Sequence, residues 1–119
     1  MADFAIRTGV IVAAGLLGLG GMAVAQARAD SVAYLVNVTV RPGYNFPDAD
    51  AALAYGRGIC DKVAATRGYP ALVGDVQADF GTTDEFQATY LISQAVNELC
   101  PALIWQLRNS AANYRPPAP

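Results

Sequence analysis

The chain has 119 residues, 54% of them hydrophobic and only 15% charged, with two cysteines and no histidine. That length holds one small domain, and the missing imidazole excludes Ser-His-Asp or Cys-His catalysis, histidine acid/base work and a His-ligated zinc site. Eight basic against ten acidic residues, with no basic run, leave a charge of −2 and no electrostatic footprint for nucleic acid.

Residues 1–29 read as a secretory signal. Arg7 is followed by the apolar run Val10 to Val24 and by the small-x-small exits Ala23-Val24-Ala25 and Ala27-Arg28-Ala29. Cleavage after Ala29 is the first choice and after Ala25 the second. A retained membrane anchor is the alternative, because Thr8 to Gln26 is uncharged and nearly spans a bilayer. Five glycines in that interval disfavour a stable spanning helix. Once the signal is cut, no membrane association is expected. The remaining chain carries six basic and nine acidic residues and no methionine. A haem iron would find only tyrosine or cysteine as side-chain ligands there, and no cofactor or metal is expected.

Ser31 to Val40 places apolar residues at Val32, Leu35, Val36 and Thr39-Val40, at helical spacing, with Asp30 or Ser31 as N-cap. Its β-branched density keeps a strand as the alternative. Arg41-Pro-Gly-Tyr-Asn-Phe-Pro is a loop, since Pro42 and Pro47 interrupt regular hydrogen bonding and Gly43 invites a turn.

Asp48 or Pro47 opens a helix to about Ala65, with Ala49, Ala52, Leu53, Gly56, Ile59, Cys60 and Val63 on one face and an Arg57–Asp61 pair opposite. Gly56 and Gly58 each cost about 1 kcal/mol in a helix interior relative to alanine, so close approach of another helix, or a ligand against bare backbone, is expected there. Gly56-Arg57-Gly58 lacks the strand and spacing of a phosphate loop. Gly68 ends the helix, and Pro70 suits the first turn of the next, whose stripe is Leu72, Val73, Val76 and Phe80, with Asp75 and Asp79 on the wet side. Gly81 stops it.

Thr82 or Thr83 then caps a helix with Asp84 and Glu85 in its first turn and Ala88, Ile92, Ala95, Val96 and Leu99 inward. Pro101 kinks or restarts it, and Leu103, Ile104 and Leu107 carry the stripe onward. Trp105 lies partly off that stripe. Its indole is expected to pack back on the core, with a binding surface as the alternative. Residues 109–119 read as a proline-rich flexible tail.

Cys60 and Cys100 are the only cysteines, and a secreted chain with an even count reads as bridged. Such a bridge closes a loop of about forty residues and is worth about 4 kcal/mol on the chain-entropy model. A redox or nucleophilic role is disfavoured, since the two are not in a C-x-x-C motif and no cation adjoins Cys100. The expected fold is all-α: a small bundle of about four helices stapled by Cys60–Cys100, occupying residues 30–108.

The signal, Val32-Ala-Tyr-Leu, Phe46-Pro-Asp48, the segment Ala52 to Cys60 with glycine four residues before cysteine, and Asn97-Glu-Leu-Cys-Pro101 together resemble the domain of unknown function 732 family. These are small secreted proteins of mycobacteria and related actinobacteria. The resemblance spans roughly Ser31 to Pro101 and implies an all-helical fold with one bridge between the second and last helices. It implies no catalytic residues, and the chain departs from the family pattern in continuing from Ala102 to Pro119.

Three functions compete. The first is a secreted, non-enzymatic module of the cell envelope or medium that binds an unidentified protein partner. The second is a carrier of a small apolar, amphiphilic or haem-like ligand between helices, for which Tyr34, Tyr55, Tyr69, Tyr90, Trp105 and the glycine pair are the material. The third, an enzyme, would need pairs such as Asp75 and Asp79, whose spacing is that of a solvated helix face. The candidate ligand or partner surface is therefore Tyr55, Gly56, Gly58 and Trp105, and no catalytic set is assigned.

Overall fold

A computed structural model describes residues 31–115. The expected signal, its cleavage sites and the last four residues of the expected tail lie outside the described residues.

Helix α1 runs through residues 31–39. It is a helix and not the alternative strand, and Thr39 Oγ1 donates back to the Leu35 carbonyl at 2.7 Å, as β-hydroxyl side chains do inside helices. Its buried face differs from the expected one. Tyr34 and Val38, one turn apart, are fully inside, whereas Val32, Val36 and Val40 point outward. A tyrosine buries far more surface than a valine, and the Tyr34 hydroxyl has a partner inside, donating to the Ala52 carbonyl at 2.8 Å. These two gains decide the rotation of the helix.

In the loop that follows, Gly43 takes φ 111° and Asn45 φ 53°. The turn drives Tyr44 into the core, where its hydroxyl donates to the Gln87 carbonyl at 2.6 Å. Asp48 then caps α2 (Ala49–Ala64), its carboxylate accepting from Ala51 N–H. The inward face is Ala52, Gly56, Ile59, Cys60 and Val63 as expected, but Ala49 is exposed. Gly68 does not end this helix. The left-handed residue after α2 is Thr66, at φ 68°, and Gly68 is extended and precedes α3. The Thr66 and Arg67 amides donate to the Val63 and Lys62 carbonyls, closing the helix end by backbone bonds instead of by a glycine.

Helix α3 (Tyr69–Phe80) has Pro70 in its first turn, buries Leu72, Val73 and Val76, and ends at left-handed Gly81, φ 60°. Helix α4 (Glu85–Leu99) is capped by Asp84, not by Thr82 or Thr83. The Asp84 carboxylate accepts from the Phe86 and Gln87 amides, while Thr82 Oγ1 accepts from the Asp84 amide and holds the cap in place. α4 packs against both α2 and α3. For that reason it buries Leu91 in addition to Ala88, Ile92, Ala95 and Val96, on a face wider than a single stripe.

Pro101–Leu103 form one 3-10 turn, and α5 (Ile104–Ala111) follows. The chain expected as tail from residue 109 is helical to Ala111. Beyond it the Tyr114 ring lies 5.0 Å from Tyr69, and its hydroxyl donates to the Glu85 carboxylate. Ser110 Oγ also accepts from the Tyr69 amide, so this segment is tied to the starts of α3 and α4.

The described residues thus form five α-helices and a 3-10 turn around one apolar core, with no strand. A Cys60–Cys100 disulfide joins α2 to the end of α4. Among the described residues no buried side-chain nitrogen or oxygen lacks a hydrogen-bond partner, and no helix is long and apolar enough to cross a membrane.

Candidate functional site

The glycine pair on α2 separates into two different environments. A Cβ added at Gly56 would lie 2.6 Å from Leu99 Cδ1 and 2.7 Å from Tyr34 Cζ. Helices α1 and α4 therefore close on the bare backbone, as expected from the glycine's helix penalty, and Tyr34 takes the space a ligand would occupy there. Gly58 has no such role: a Cβ there meets nothing within 4 Å. Burial of the Tyr34 ring pushes its hydroxyl up to about 12, with nearby Tyr44 acting in the same direction.

Tyr55 faces a third environment. Its ring centroid lies 5.2 Å from Phe80 and 5.8 Å from Phe46, in a cluster that also takes in Tyr44. The hydroxyl donates to Asp79 Oδ2 at 2.8 Å, and burial, then this carboxylate, raises its pKa. The acidic pair expected on the wet face of α3 is thus in use. Asp75 accepts from Arg67 Nε at 2.5 Å and Nη2 at 2.7 Å, and from Lys62 Nζ at 3.1 Å. The Arg67 hydrogen bonds, with help from Lys62 and against partial burial, hold the Asp75 carboxyl down to about 2. Among the described residues the ion pairs are these two, and the expected Arg57–Asp61 pair is not formed.

Trp105 does not return to the core. It is 67% exposed, and Arg108 lies over its ring at 5.3 Å. α5 instead anchors through Leu107, which its helical spacing places on another face. The four residues singled out in the sequence do not converge. Gly56 faces α1 and α4, Tyr55 the aromatic cluster, Gly58 no neighbour, and Trp105 solvent.

Sequence reasoning missed the outward face of α1. Val32, Val36 and Val40, at i, i+4 and i+8, are 59%, 52% and 76% exposed. No charged residue occurs from Ser31 to Val40. At the end of this ridge the Arg41 guanidinium lies 4.6 Å from the Phe86 ring centroid and 4.5 Å from that of Tyr90. Phe86 is itself 59% exposed. The available signal was that the stretch has two apolar stripes, Tyr34-Val38 and Val32-Val36-Val40, and a small domain can cover only one.

A surface cleft of about 180 Å³ lies at the C-terminal end of α1, lined by Val38, Thr39, Arg41, Pro42, Asn45 and Phe46. One of about 370 Å³ is lined by Ala64, Thr66, Arg67, Gln106, Asn109 and Ser110, and one of about 330 Å³ by Arg41, Pro42, Asp84 and Gln87. Polar residues predominate in both of the latter linings, although the exposed area of the cleft of about 370 Å³ is mainly apolar. Among the described residues no three His, Cys, Asp or Glu side chains gather as metal ligands.

Comparison with protein families gives a match to the family described as "Protein of unknown function (DUF732)", over residues 23–102. The chain belongs to the DUF732 family. No curated protein and no solved structure matches it. The DUF732 match includes α1 with its valine ridge, Gly56 with Tyr34, and both bridge cysteines. It ends at Ala102, so Trp105, Leu107 and the Tyr114 contacts lie beyond the DUF732 region.

Proposed function

We propose that this protein is an extracytoplasmic, non-enzymatic module that binds another protein through the outward face of α1. The observation that carries the reading is the ridge Val32, Val36 and Val40, three valines in one row along α1 and its C-terminal end, each more than half exposed, whereas the large hydrophobics exposed on other helices, Phe86 and Trp105, stand singly. Contiguous apolar surface of this kind marks interaction sites, because leaving it in water costs about 25 cal/mol per Å². The expected signal and the Cys60–Cys100 bridge support an oxidising, extracytoplasmic location. A non-enzymatic role is supported by the missing histidine and by the engagement of Asp75 and Asp79 in structural contacts.

Affinity capture from envelope extract with the wild-type chain and with Val36→Glu tests the reading. The expected result is a protein retained by the wild type and lost with the variant. Identical sets retained by both, with the variant's helicity unchanged, would overturn it.

A further inference from the structure

We propose that residues 104–114 are a detachable latch over a docking groove, which when open takes in trans a helix carrying leucine, serine and tyrosine at the spacing of Leu107, Ser110 and Tyr114. The groove is built from the end of α2 and the starts of α3 and α4. It shares no residue with the valine ridge of α1, so it stands or falls independently of the reading of that face.

The chemistry of the occupant is read from the segment seated there. α5 buries Leu107 alone, whereas α2 and α4 bury five residues each and α3 three, so one apolar anchor carries the contact. Around that anchor, side chains of α5 reach backbone groups at the ends of neighbouring helices. Gln106 Nε2 donates to the Val63 carbonyl at 2.5 Å, and Ser110 Oγ accepts from the Tyr69 amide at 3.1 Å. Helix ends leave amides and carbonyls without intrahelical partners, so a docking helix can recognise them. Tyr114 completes the set, its ring 5.0 Å from that of Tyr69 and its hydroxyl on the Glu85 carboxylate. An apolar anchor with polar contacts fixed around it is how a groove selects a helix.

Four features let the segment leave while the other helices stay folded. The Cys60–Cys100 bridge closes its loop at Cys100, so residues 104–114 lie outside that loop and their release does not strain it. An eight-residue helix does not hold its shape alone in water, so undocking and unfolding of α5 are one event. A cleft of about 370 Å³ runs along the seam, with Ala64, Thr66 and Arg67 on one side and Gln106, Asn109 and Ser110 of α5 on the other, so water already reaches this contact. A unit with so few buried residues opens at low cost. Finally, the DUF732 match ends at Ala102 and contains Val63, Tyr69 and Glu85 but no residue of the latch. The groove therefore belongs to the family region, and its cover lies beyond it.

The test uses the compact unit Ser31–Pro119 with its bridge formed, as wild type and as Leu107→Glu, and a fluorescein-labelled peptide of residues 103–115. In hydrogen exchange of the wild type, the amides of α5 are expected to exchange as a separate unit, at least about a hundredfold faster than those of α2 and α4. Leu107→Glu is expected to keep the helicity of α1–α4, while the anisotropy of Trp105, the single tryptophan and a residue of the latch, falls. By fluorescein anisotropy this variant is expected to bind the peptide at least about tenfold more tightly than the wild type, in which only the open fraction is competent. Peptides with Ser110→Ala or Tyr114→Phe are each expected to bind at least about threefold more weakly, and a Leu107→Glu peptide not at all.

Exchange of α5 together with α2 and α4 would overturn the latch, as would loss of the α1–α4 fold in Leu107→Glu, since either result makes α5 part of the cooperative core. A folded Leu107→Glu that binds the peptide no better than the wild type, or binds the Leu107→Glu peptide equally well, would overturn the groove. Unchanged binding of both the Ser110→Ala and Tyr114→Phe peptides would overturn the stated ligand chemistry, leaving only an apolar contact. Envelope capture through Val36 is unaffected by any of these results.

Discussion

Gly56 and Gly58 share a helix and a local sequence, yet substitution is expected to move stability in opposite directions. Gly56→Ala pushes a methyl group against a tyrosine ring held in place by its bond to Ala52. Overpacking of that kind costs about 1–3 kcal/mol, against about 1 kcal/mol gained in helix propensity, so a net loss is expected. Gly58→Ala meets nothing and is expected to gain about 1 kcal/mol. Urea unfolding of the two variants measures both signs. Asp75 supplies a pH test at the same scale. Its carboxyl titrates near 2 when folded and near 3.9 when unfolded, so its contribution is complete above about pH 4 and is lost as pH falls through about 2. Stability of Asp75→Asn is expected to vary less between pH 4 and pH 2 than that of the wild type. None of these neighbours was legible locally. Tyr34 lies upstream on α1 and Leu99 downstream on α4, and which of two similar glycines they approach depends on how three helices cross.

For whole elements, legibility followed the number of stripes competing for the core. Helix α3 has a single apolar stripe, a first-turn proline and a terminal glycine, and its observed span, inward face and left-handed stop match the reading from sequence. In α1 two stripes were available, and spacing alone cannot rank them. The larger area of Tyr34 and its hydroxyl bond to α2 decided the outcome. In α4 the sequence pattern showed one face, but contact with both α2 and α3 widened it to include Leu91. α5 is anchored through Leu107, leaving Trp105 in solvent. Intrinsic tryptophan emission of the folded protein is therefore expected at the wavelength of a solvated indole and to shift little on unfolding. Trp105→Ala is expected to change stability by less than about 0.5 kcal/mol, checked by thermal melting. Emission shifted strongly to the blue in the folded state would contradict this placement.

At the scale of the molecule, the bridge joins α2 to the end of α4, and every described helix contributes to a single core. A domain of this size buries too little apolar surface to be strongly stable without such a constraint. Replacing both Cys60 and Cys100 by serine is expected to remove about 4 kcal/mol, read as a lower urea midpoint matched by the wild type under reducing conditions. The contacts of α5 and Tyr114 extend the fold past the DUF732 match, tying the chain end to α3 and α4. This docking was illegible because residues 109–115 are compositionally those of a tail. Their order depends on Tyr69 and Glu85, which become neighbours only when α3 and α4 are packed.

The sequence by itself determined the helical class, the extent of α2 and α3 to within a residue or two, the disulfide and the family. The first three follow from short-range periodicity, capping chemistry or an even cysteine count, which need no knowledge of distant residues, and the family from the resemblance of its motifs. The tertiary structure alone decided which stripe of α1 is buried, which glycine is crowded, where the tryptophan points and that Tyr114 docks against Tyr69 and Glu85. Those outcomes depend on competition between faces for one small core, and the losing face of α1 is the surface from which a function can be argued.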